Sequence, residues 1–258
     1  MKETPLLFTG AMVRALLEGR KTQTRRIAKF FCETESIMHG HDMDSAKQFP
    51  PRLEAGWWKA AHEGYQCQCP YGKAGDRLWG RETFFDVRPW RSAPIFAATT
   101  TEFIYRADYE YREKRTGGSG KIIGCHPWKP SIFMPREASR LLLEVTQVRV
   151  HRLQGISDAD SIAEGILECW PGAWHWTADT GTAAGLTPRD AYRTLWNSIN
   201  LDPKPVGGRY EAFPWSIEDF IARHGVGEHG VPLTYRGEPL IIHPNPYVWA
   251  ISFRKIQP

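Results

Sequence analysis

The chain of 258 residues has no apolar run that approaches the roughly 20 residues needed to span a bilayer. Its first residues, Met1 to Pro5, also lack the apolar core of a secretory signal peptide. We therefore expect a cytoplasmic protein without a membrane partner.

The chain has only a small excess of positive over negative charge, and it has few cysteines. The net charge is only +4, which permits contact with nucleic acid but does not indicate a dedicated, strongly basic binder. The five cysteines are odd in number and irregularly spaced, so they do not form a disulfide framework. No internal repeat is visible, which argues against a repeat architecture.

Several cysteines and histidines lie in one irregular stretch, where they could in principle bind zinc. They are Cys32, His39, His41, His62, Cys67 and Cys69. Paired zinc-binding cysteines are usually separated by two to four residues, and Cys67 and Cys69 are separated by one. We favour free thiols and surface histidines over a zinc site, and expect no metal and no cofactor.

The highest density of functional side chains lies in the segment 16–26, LLEGRKTQTRR, where four cationic residues surround two threonines. Apolar spacing predicts a helix over 11–18, and Gly19 stands where a left-handed C-terminal cap is expected. The following residues, 22–26, should be extended, with alternate side chains on opposite faces. Thr22, Thr24 and Arg26 would share one face, and one of the two faces can line a pocket.

The simplest alternative for this segment is a solvated basic turn, since most runs of Lys and Arg serve solubility. The other interpretation is that this segment lines a pocket. Lys21 would then be a potential base, Thr24 would supply a hydroxyl, and Glu164 from elsewhere in the chain would supply a carboxylate for proton transfer.

Periodicity and capping residues predict the remaining elements. Strands are expected at 77–85, 101–109, 139–153 and 245–254, and helices at 157–164, 186–199 and 216–223. Ser157 and Thr187 are the expected N-caps of the first two of these helices. The stretches near 30–73, 110–130 and 200–245 are interpreted as insertions without sustained periodicity.

Four segments, in this order, resemble the ASCH domain of the PUA-like superfamily. They are the turn Gly19–Thr22 with the Thr24 and Arg26 that follow it, Gly75–Phe84, Ser157–Ile166 and Asn245–Arg254. The resemblance implies an α+β fold built on a mostly antiparallel β-barrel with flanking helices. With no clean linker visible, the chain is interpreted as a single domain over 1–258 with long insertions.

Small bacterial ASCH proteins are amidohydrolases that remove the acetyl group from acetylated cytidine. Their lysine, threonine and glutamate fall on Lys21, Thr24 and Glu164, and Arg26 completes the turn. The resemblance therefore implies a hydrolase acting on the exocyclic amide of a modified pyrimidine nucleoside. Crowding by neighbouring arginines would lower the pKa of Lys21 and so favour its action as a base.

Five residues are expected to bind the substrate, namely Arg26, Thr22, Glu82, Arg136 and Arg140. Arg136 and Arg140 are assigned to contacts with phosphates, since the segment 128–140 has no counterpart in the minimal enzymes. The overall pattern looks more like the longer ASCH proteins of bacteriophages and prophages.

Two other functions remain open. The same cleft could bind RNA, or less readily modified DNA, without catalysis, as the basic segments and the eleven tryptophans suggest. Alternatively, the chain could be a phage accessory or interaction protein with a vestigial pocket. The sequence does not indicate an oligomeric state.

Overall fold

The computed structural model describes residues 1–29, 52–54, 57–59, 66–90, 102–108, 128–176, 184–225 and 234–257. For residues 52–54, 57–59, 66 and 90 it describes the backbone alone. The described elements are mixed, with many short strands and few helices, which confirms the α+β class.

The α-helices are α1 (Gly10–Leu17), α2 (Asp158–Ala163), α3 (Pro188–Asn200) and α4 (Ile217–His224). Each begins after a residue whose side-chain hydroxyl accepts a hydrogen bond from a backbone N–H of the first turn. These N-cap residues are Thr9 for α1, Ser157 for α2, Thr187 for α3 and Ser216 for α4. Such caps satisfy donors that a helix start otherwise leaves unpaired. The predicted helices and the predicted caps Ser157 and Thr187 are confirmed.

The strands, in chain order, are β1 (Glu3–Leu7), β2 (Gln23–Ile27), β3 (Arg52–Glu54), β4 (Trp57–Lys59), β5 (Gln66–Cys67), β6 (Arg77–Arg81), β7 (Phe84–Asp86), β8 (Phe103–Tyr105), β9 (Leu142–Arg152), β10 (Leu167–Trp170), β11 (Ala173–His175), β12 (Lys204–Val206), β13 (Arg209–Ala212), β14 (Thr234–Tyr235), β15 (Glu238–Ile242) and β16 (Tyr247–Ile256). The predicted terminal strand is confirmed, displaced by about two residues along the chain.

The chain divides into two compact units, each built from several segments. The first comprises Met1–Thr22, Tyr71–Thr146 and Phe253–Pro258, and the second comprises Gln23–Pro70 and Gln147–Ser252. The strands β9 and β16 therefore run from one unit into the other along the chain. The single domain expected from the sequence stays a prediction.

In the first unit, β1 pairs in parallel with β6, and β6 pairs antiparallel with the start of β9. The strands β7 and β8 form an antiparallel hairpin whose Phe84 packs against Met134 and Ala138. These apolar side chains are almost fully buried and account for much of the local stability.

In the second unit, β2 pairs antiparallel with β16, from Gln23 opposite Ser252 to Ile27 opposite Val248. Helix α2 packs against β2 and against α3. A separate four-stranded sheet has the order β12-β13-β15-β14, and its Leu240 packs with Ala212 and with Phe220 of α4.

The largest sheet has the strand order β1-β6-β9-β16-β2. Since β1 and β2 stand at its two ends, the described strands do not close into the barrel that the resemblance implied. None of the helices in the described parts of the chain is long and apolar enough to cross a membrane.

Two sequence-based strand assignments need correction. The strand expected at 77–85 is two strands, and the buried Glu82 between them binds Arg140. The strand expected at 101–109 ends at Tyr105, and residues 106–108 are helical. The strand expected within 139–153 is confirmed as β9.

Two of the expected insertions contain regular structure. The stretch 200–245 holds β12 to β15 and α4, and the described backbone of 30–73 includes the sheet β3-β4-β5. These strands are only two to five residues long. Such short runs, separated by glycine and proline, are too brief for hydrophobic periodicity to reveal.

Candidate functional site

The turn after α1 has the backbone geometry that its sequence predicts. Gly19 has φ +76°, a left-handed conformation that side chains rarely adopt, and it directly follows the end of the helix. The Lys21 backbone N–H donates to the carbonyl of Ala15 at 3.0 Å, which folds the chain back against α1. Lys21 is buried, whereas Arg20 is partly exposed and pairs with Glu18.

Two faces of β2 carry different chemistry. Thr24 is fully buried, and its hydroxyl accepts a hydrogen bond from Arg26 Nη1 at 3.0 Å. Gln23 and Arg25 belong to the alternate face. This agrees with the expected alternation of 22–26, but the second face does not meet solvent, because Gln23 and Arg25 are buried as well.

Arg25 is the centre of a buried ion-pair network. Its Nη1 donates to Glu164 Oε1 at 3.1 Å and to Gln23 Oε1 at 2.6 Å, and its Nη2 donates to Asp160 Oδ2 at 3.0 Å. Charge-assisted bonds of this kind are stronger than neutral ones, and the planar guanidinium fixes their directions. The network therefore holds Glu164 in a defined orientation.

Helix α2 supplies both carboxylates of this network. Its N-cap Ser157 accepts from the Asp160 backbone N–H at 3.1 Å, and Glu164 is the C-terminal cap residue. Gly165, with φ +101°, then lets the chain turn away. A six-residue helix with a cap at each end thus places Asp160 and Glu164 one turn apart, both toward Arg25.

The same charges affect neighbouring titratable groups. Partial burial acts to raise the pKa of Asp160, but the charges of Arg25 and Arg149 outweigh it and the pKa lies below its usual range. Burial lowers the pKa of His151, and the same two arginines add to this effect. Burial, with the charge of Glu164, places the pKa of Tyr192 well above its usual value.

The five residues assigned to the motif lie on both sides of the boundary between the units. Lys21 and Thr22 belong to the first unit, and Thr24, Arg26 and Glu164 belong to the second. Thr22 is exposed, and its backbone carbonyl accepts from the Phe253 N–H at 2.9 Å. The joint action of Lys21, Thr24 and Glu164 stays a prediction.

The second group of expected site residues forms an ion-pair cluster in the first unit. Arg140 donates from Nε and Nη2 to Glu82, at 2.8 and 3.0 Å, and from Nη1 and Nη2 to Asp108, at 2.8 and 2.9 Å. Its guanidinium carbon lies 4.0 Å from the ring centroid of Tyr105. The carboxylates of Glu82 and Asp108 together outweigh the single positive charge of Arg140. The resulting net negative charge disfavours the binding of a phosphate group at Arg140.

Glu82 is almost fully buried in this cluster. Burial raises its pKa despite the opposing effect of Arg140. Because both of its oxygens are engaged by Arg140, the described contacts of Glu82 are structural ones.

Arg136, the other expected phosphate contact, has a different setting. It pairs with Glu3 at 3.0 Å on a partly exposed surface, and its guanidinium carbon lies 5.9 Å from the ring centroid of Trp79. Arg81 approaches the same ring, at 4.8 Å. Phe133, three residues before Arg136, is 70% exposed, so an apolar ring and cations share this segment.

The possible zinc ligands fall largely outside the described residues, namely Cys32, His39, His41 and His62. Neither Cys67 nor Cys69 forms a disulfide in the described part of the chain, and burial raises the pKa of the Cys67 thiol to about 11. Within the described ranges, no group of three or more His, Cys, Asp or Glu side chains could hold a metal ion.

Sequence reasoning missed Arg25, Asp160, Gln23 and Tyr192 as parts of this site. Arg25 is 139 residues from Glu164 along the chain, and nothing local indicates the pairing. The one signal in the sequence is the pair of acidic residues in the first turn of α2, Asp158 and Asp160, which also interact favourably with the helix dipole.

Comparison with known proteins adds no assignment: no family model matches the chain, and no curated protein or solved structure does either.

Proposed function

We propose that the chain is an ASCH-like hydrolase of the PUA-like superfamily that removes an acyl group from the exocyclic amide of a modified pyrimidine nucleoside, such as acetylcytidine. One observation carries the proposal. The three residues assigned to catalysis are buried, with exposed fractions of 2% for Lys21, 0% for Thr24 and 5% for Glu164.

This burial argues against a solvated basic turn. Lysine and glutamate are seldom fully buried unless they are paired, because moving a charge out of water is costly. A turn that served only solubility would expose its cations, as Arg20 partly does beside Glu18. Glu164 is held in its buried position by Arg25, and buried ionisable groups beside a buried hydroxyl such as that of Thr24 are typical of functional sites.

The proposed chemistry is hydrolysis of a linear amide. Either water adds directly to the acyl carbon, or the Thr24 oxygen adds first and water then hydrolyses the acyl-threonine ester; in both routes the bond from the acyl carbon to the exocyclic nitrogen breaks, and the products are a carboxylic acid and the free amino nucleoside. Lys21 takes a proton as the reaction begins, Thr24 acts as nucleophile or orients the attacking group, and Glu164 transfers a proton to the leaving nitrogen.

The contact between Arg26 and Thr24 supports a role for this hydroxyl. Arg26 Nη1 donates to Thr24 Oγ1, which leaves the hydroxyl proton available to a base or a substrate. The nearby guanidinium also supplies positive charge for an oxyanion that develops on the acyl oxygen.

The test is incubation of the purified chain with N4-acetylcytidine while the release of acetate is measured. We expect turnover by the wild-type chain and a loss of at least about 100-fold in Glu164→Gln, the usual scale for one general acid or base. Arg20→Ala, which changes the cation beside Lys21, should retain most activity. No acetate release from the wild-type chain would refute the proposal.

The surface around Arg136 favours a second candidate function, binding of single-stranded RNA in preference to DNA. Arg81 and Arg136 approach the ring of Trp79, but Trp79 is only 8% exposed, so the ring open to a base is that of Phe133, which is three residues before Arg136 and 70% exposed. Aromatic rings beside arginines form the usual platform for stacked bases and their phosphates.

The test of this candidate is the salt dependence of binding to a fluorescent single-stranded RNA. We expect Arg136→Ala to weaken binding and to lower the slope of log affinity against log salt by about 0.7. Arg140→Ala should not change the slope, since Arg140 is bound by Glu82 and Asp108. Arg254→Ala is the matched control, because Arg254 is exposed and paired with Glu144. Absence of binding at low salt would exclude this function.

A further inference from the structure

The most unusual feature of β2 is the pair of residues that alternate with the threonine and arginine of the motif. Positions 23 and 25 carry Gln and Arg, although the motif itself, GxKTxTxR, specifies neither position. Both side chains are buried, and both contact α2, the helix that ends at Glu164.

We propose that Arg25 is a positioning residue that orients the Glu164 carboxylate and supplies the positive charge beside it. The inference rests on the proposed function, because it assigns Glu164 to the reaction. Arg25 itself is not expected to contact the substrate.

The surroundings of Arg25 leave its guanidinium little freedom. Its side chain has no exposed surface, and its two terminal nitrogens donate to Gln23, Glu164 and Asp160. Its guanidinium carbon lies 5.9 Å from the ring centroid of Tyr192 on α3. A guanidinium enclosed in this way cannot turn outward to bind a phosphate, so its role is internal to the second unit.

A chain of hydrogen bonds fixes the partners of Arg25 in turn. Gln23 Nε2 donates to Asp160 Oδ1 at 3.2 Å and to Ser252 Oγ on β16 at 3.1 Å. Arg149 on β9 donates to the same Asp160 oxygen at 3.3 Å. Strand β2, helix α2 and strand β16 are thereby joined around one guanidinium, which defines the position of Glu164.

Arginine suits this role better than lysine would. Its planar fork directs two nitrogens to two separate carboxylates, whereas an ammonium group is a single point of charge. A lysine at position 25 would keep the positive charge but would lose the geometry that orients both Asp160 and Glu164. The two contributions, charge and orientation, can therefore be separated by substitution.

The charged and titratable groups around the pair come from every neighbouring element. Arg25 lies on β2, Asp160 on α2, Arg149 and His151 on β9, and Tyr192 on α3. Among these, Arg25 donates a hydrogen bond to Glu164, so its removal takes both that bond and its positive charge away from the carboxylate.

The experiment combines nuclear magnetic resonance with kinetics on the full chain. The chemical shift of the Glu164 side-chain carboxyl carbon is recorded at one fixed pH in the wild type, Arg25→Gln and Arg25→Lys, and kcat and KM for N4-acetylcytidine are measured in parallel. Arg193→Gln is the matched control, because Arg193 lies in the same unit and pairs with Asp219, away from Glu164.

In Arg25→Gln we expect the carboxyl resonance of Glu164 to move, because the carboxylate loses the guanidinium that donates to its Oε1. We also expect kcat to fall by about 100-fold with little change in KM, the scale on which a small misplacement acts. Arg25→Lys keeps the charge without the planar fork, so kcat should still fall at least about 10-fold. Arg193→Gln should change neither quantity.

The inference is overturned if folded Arg25→Gln shows the wild-type Glu164 resonance, or if Arg25→Lys retains the wild-type kcat. Should Arg25→Gln not fold, Arg25→Lys decides through its kcat. A wild-type chain without hydrolytic activity refutes the proposed function instead, and the NMR comparison then still decides whether Arg25 positions Glu164.

Discussion

At the scale of single residues, neighbours in one basic segment have very different environments. Arg20 pairs with Glu18 at a partly exposed position, whereas Arg25 is buried among carboxylates from α2. Removing one partner from a buried pair costs about 3–5 kcal/mol, while an exposed pair contributes at most about 1 kcal/mol. The role of each cation therefore depends on its partner rather than on the density of charge in the sequence.

Asp76 provides a test of the turn that enters β6. Its carboxylate accepts from the backbone N–H groups of Lys2 at 2.8 Å and Lys73 at 3.1 Å. These hydrogen bonds, of which the one from Lys2 has the largest effect, hold the pKa of Asp76 below its usual value. We expect Asp76→Ala to lower the free energy of unfolding at pH 7 by about 1–3 kcal/mol in urea titrations.

The pH dependence of this effect has a definite sign. A carboxyl group whose pKa is lower in the folded state stabilises the fold above its unfolded value of about 4, and this contribution is lost as the pH falls through the folded value. The difference between wild type and Asp76→Ala should therefore shrink in acid. Asp202→Ala, at an exposed ion pair, is the control and should have little effect. A difference that does not depend on pH would contradict this account.

Gly80 tests the packing inside the first unit. A Cβ atom at this position would lie 2.8 Å from the Cβ of Leu141, closer than real contacts allow. We expect Gly80→Ala to destabilise the chain by about 1–3 kcal/mol in thermal or urea unfolding, because overpacking forces side chains and backbone to shift. Gly155→Ala, with its nearest atom at 3.8 Å, is the control. Equal stability of the two variants would show that β6 can move.

At the scale of elements, the cap of α2 should affect activity and the cap of α4 should not. The Ser157 and Ser216 hydroxyls accept equivalent N–H bonds, at 3.1 and 3.2 Å. We expect Ser157→Ala and Ser216→Ala each to cost about 1 kcal/mol in the free energy of unfolding. Only Ser157→Ala should also lower kcat, because α2 carries Glu164. If both variants lowered kcat equally, α2 would have no special role.

The helices could be predicted from sequence because their signals are local. Ser157, Thr187 with Pro188, and the apolar spacing of α3 lie within one or two turns of the elements they define. The strands β12 to β15 escaped prediction because each is short, and because the pairing that joins their two local hairpins into one sheet, with Leu240 opposite Tyr210, connects segments distant in the chain. Local propensity does not encode such pairings.

The candidate site shows the same division between local and distant signals. The extended conformation of β2 and the left-handed Gly19 follow from their own residues. The ion pairs of Arg25 do not, since they depend on the packing of α2 against β2. Arg140 was expected to contact phosphate, but its carboxylate partners come from two other segments of the first unit.

At the scale of the whole molecule, the chain passes repeatedly between two compact units, and one such passage lies within the motif itself. Lys21 belongs to the first unit and Thr24 to the second. A hydrolase that uses both residues depends on the correct position of each, so substitutions at Lys21 are the strictest test of the proposed mechanism.

The most direct measurement is the rate of acetate release from N4-acetylcytidine by the wild type, Lys21→Arg and Lys21→Ala, with folding checked by circular dichroism. We expect the wild type to turn over and both variants to be inactive, because a guanidinium keeps the charge but does not act as a base at neutral pH. Arg20→Lys is the control and should remain active. Full activity in folded Lys21→Arg would contradict proton abstraction by Lys21 and leave it as an electrostatic anchor.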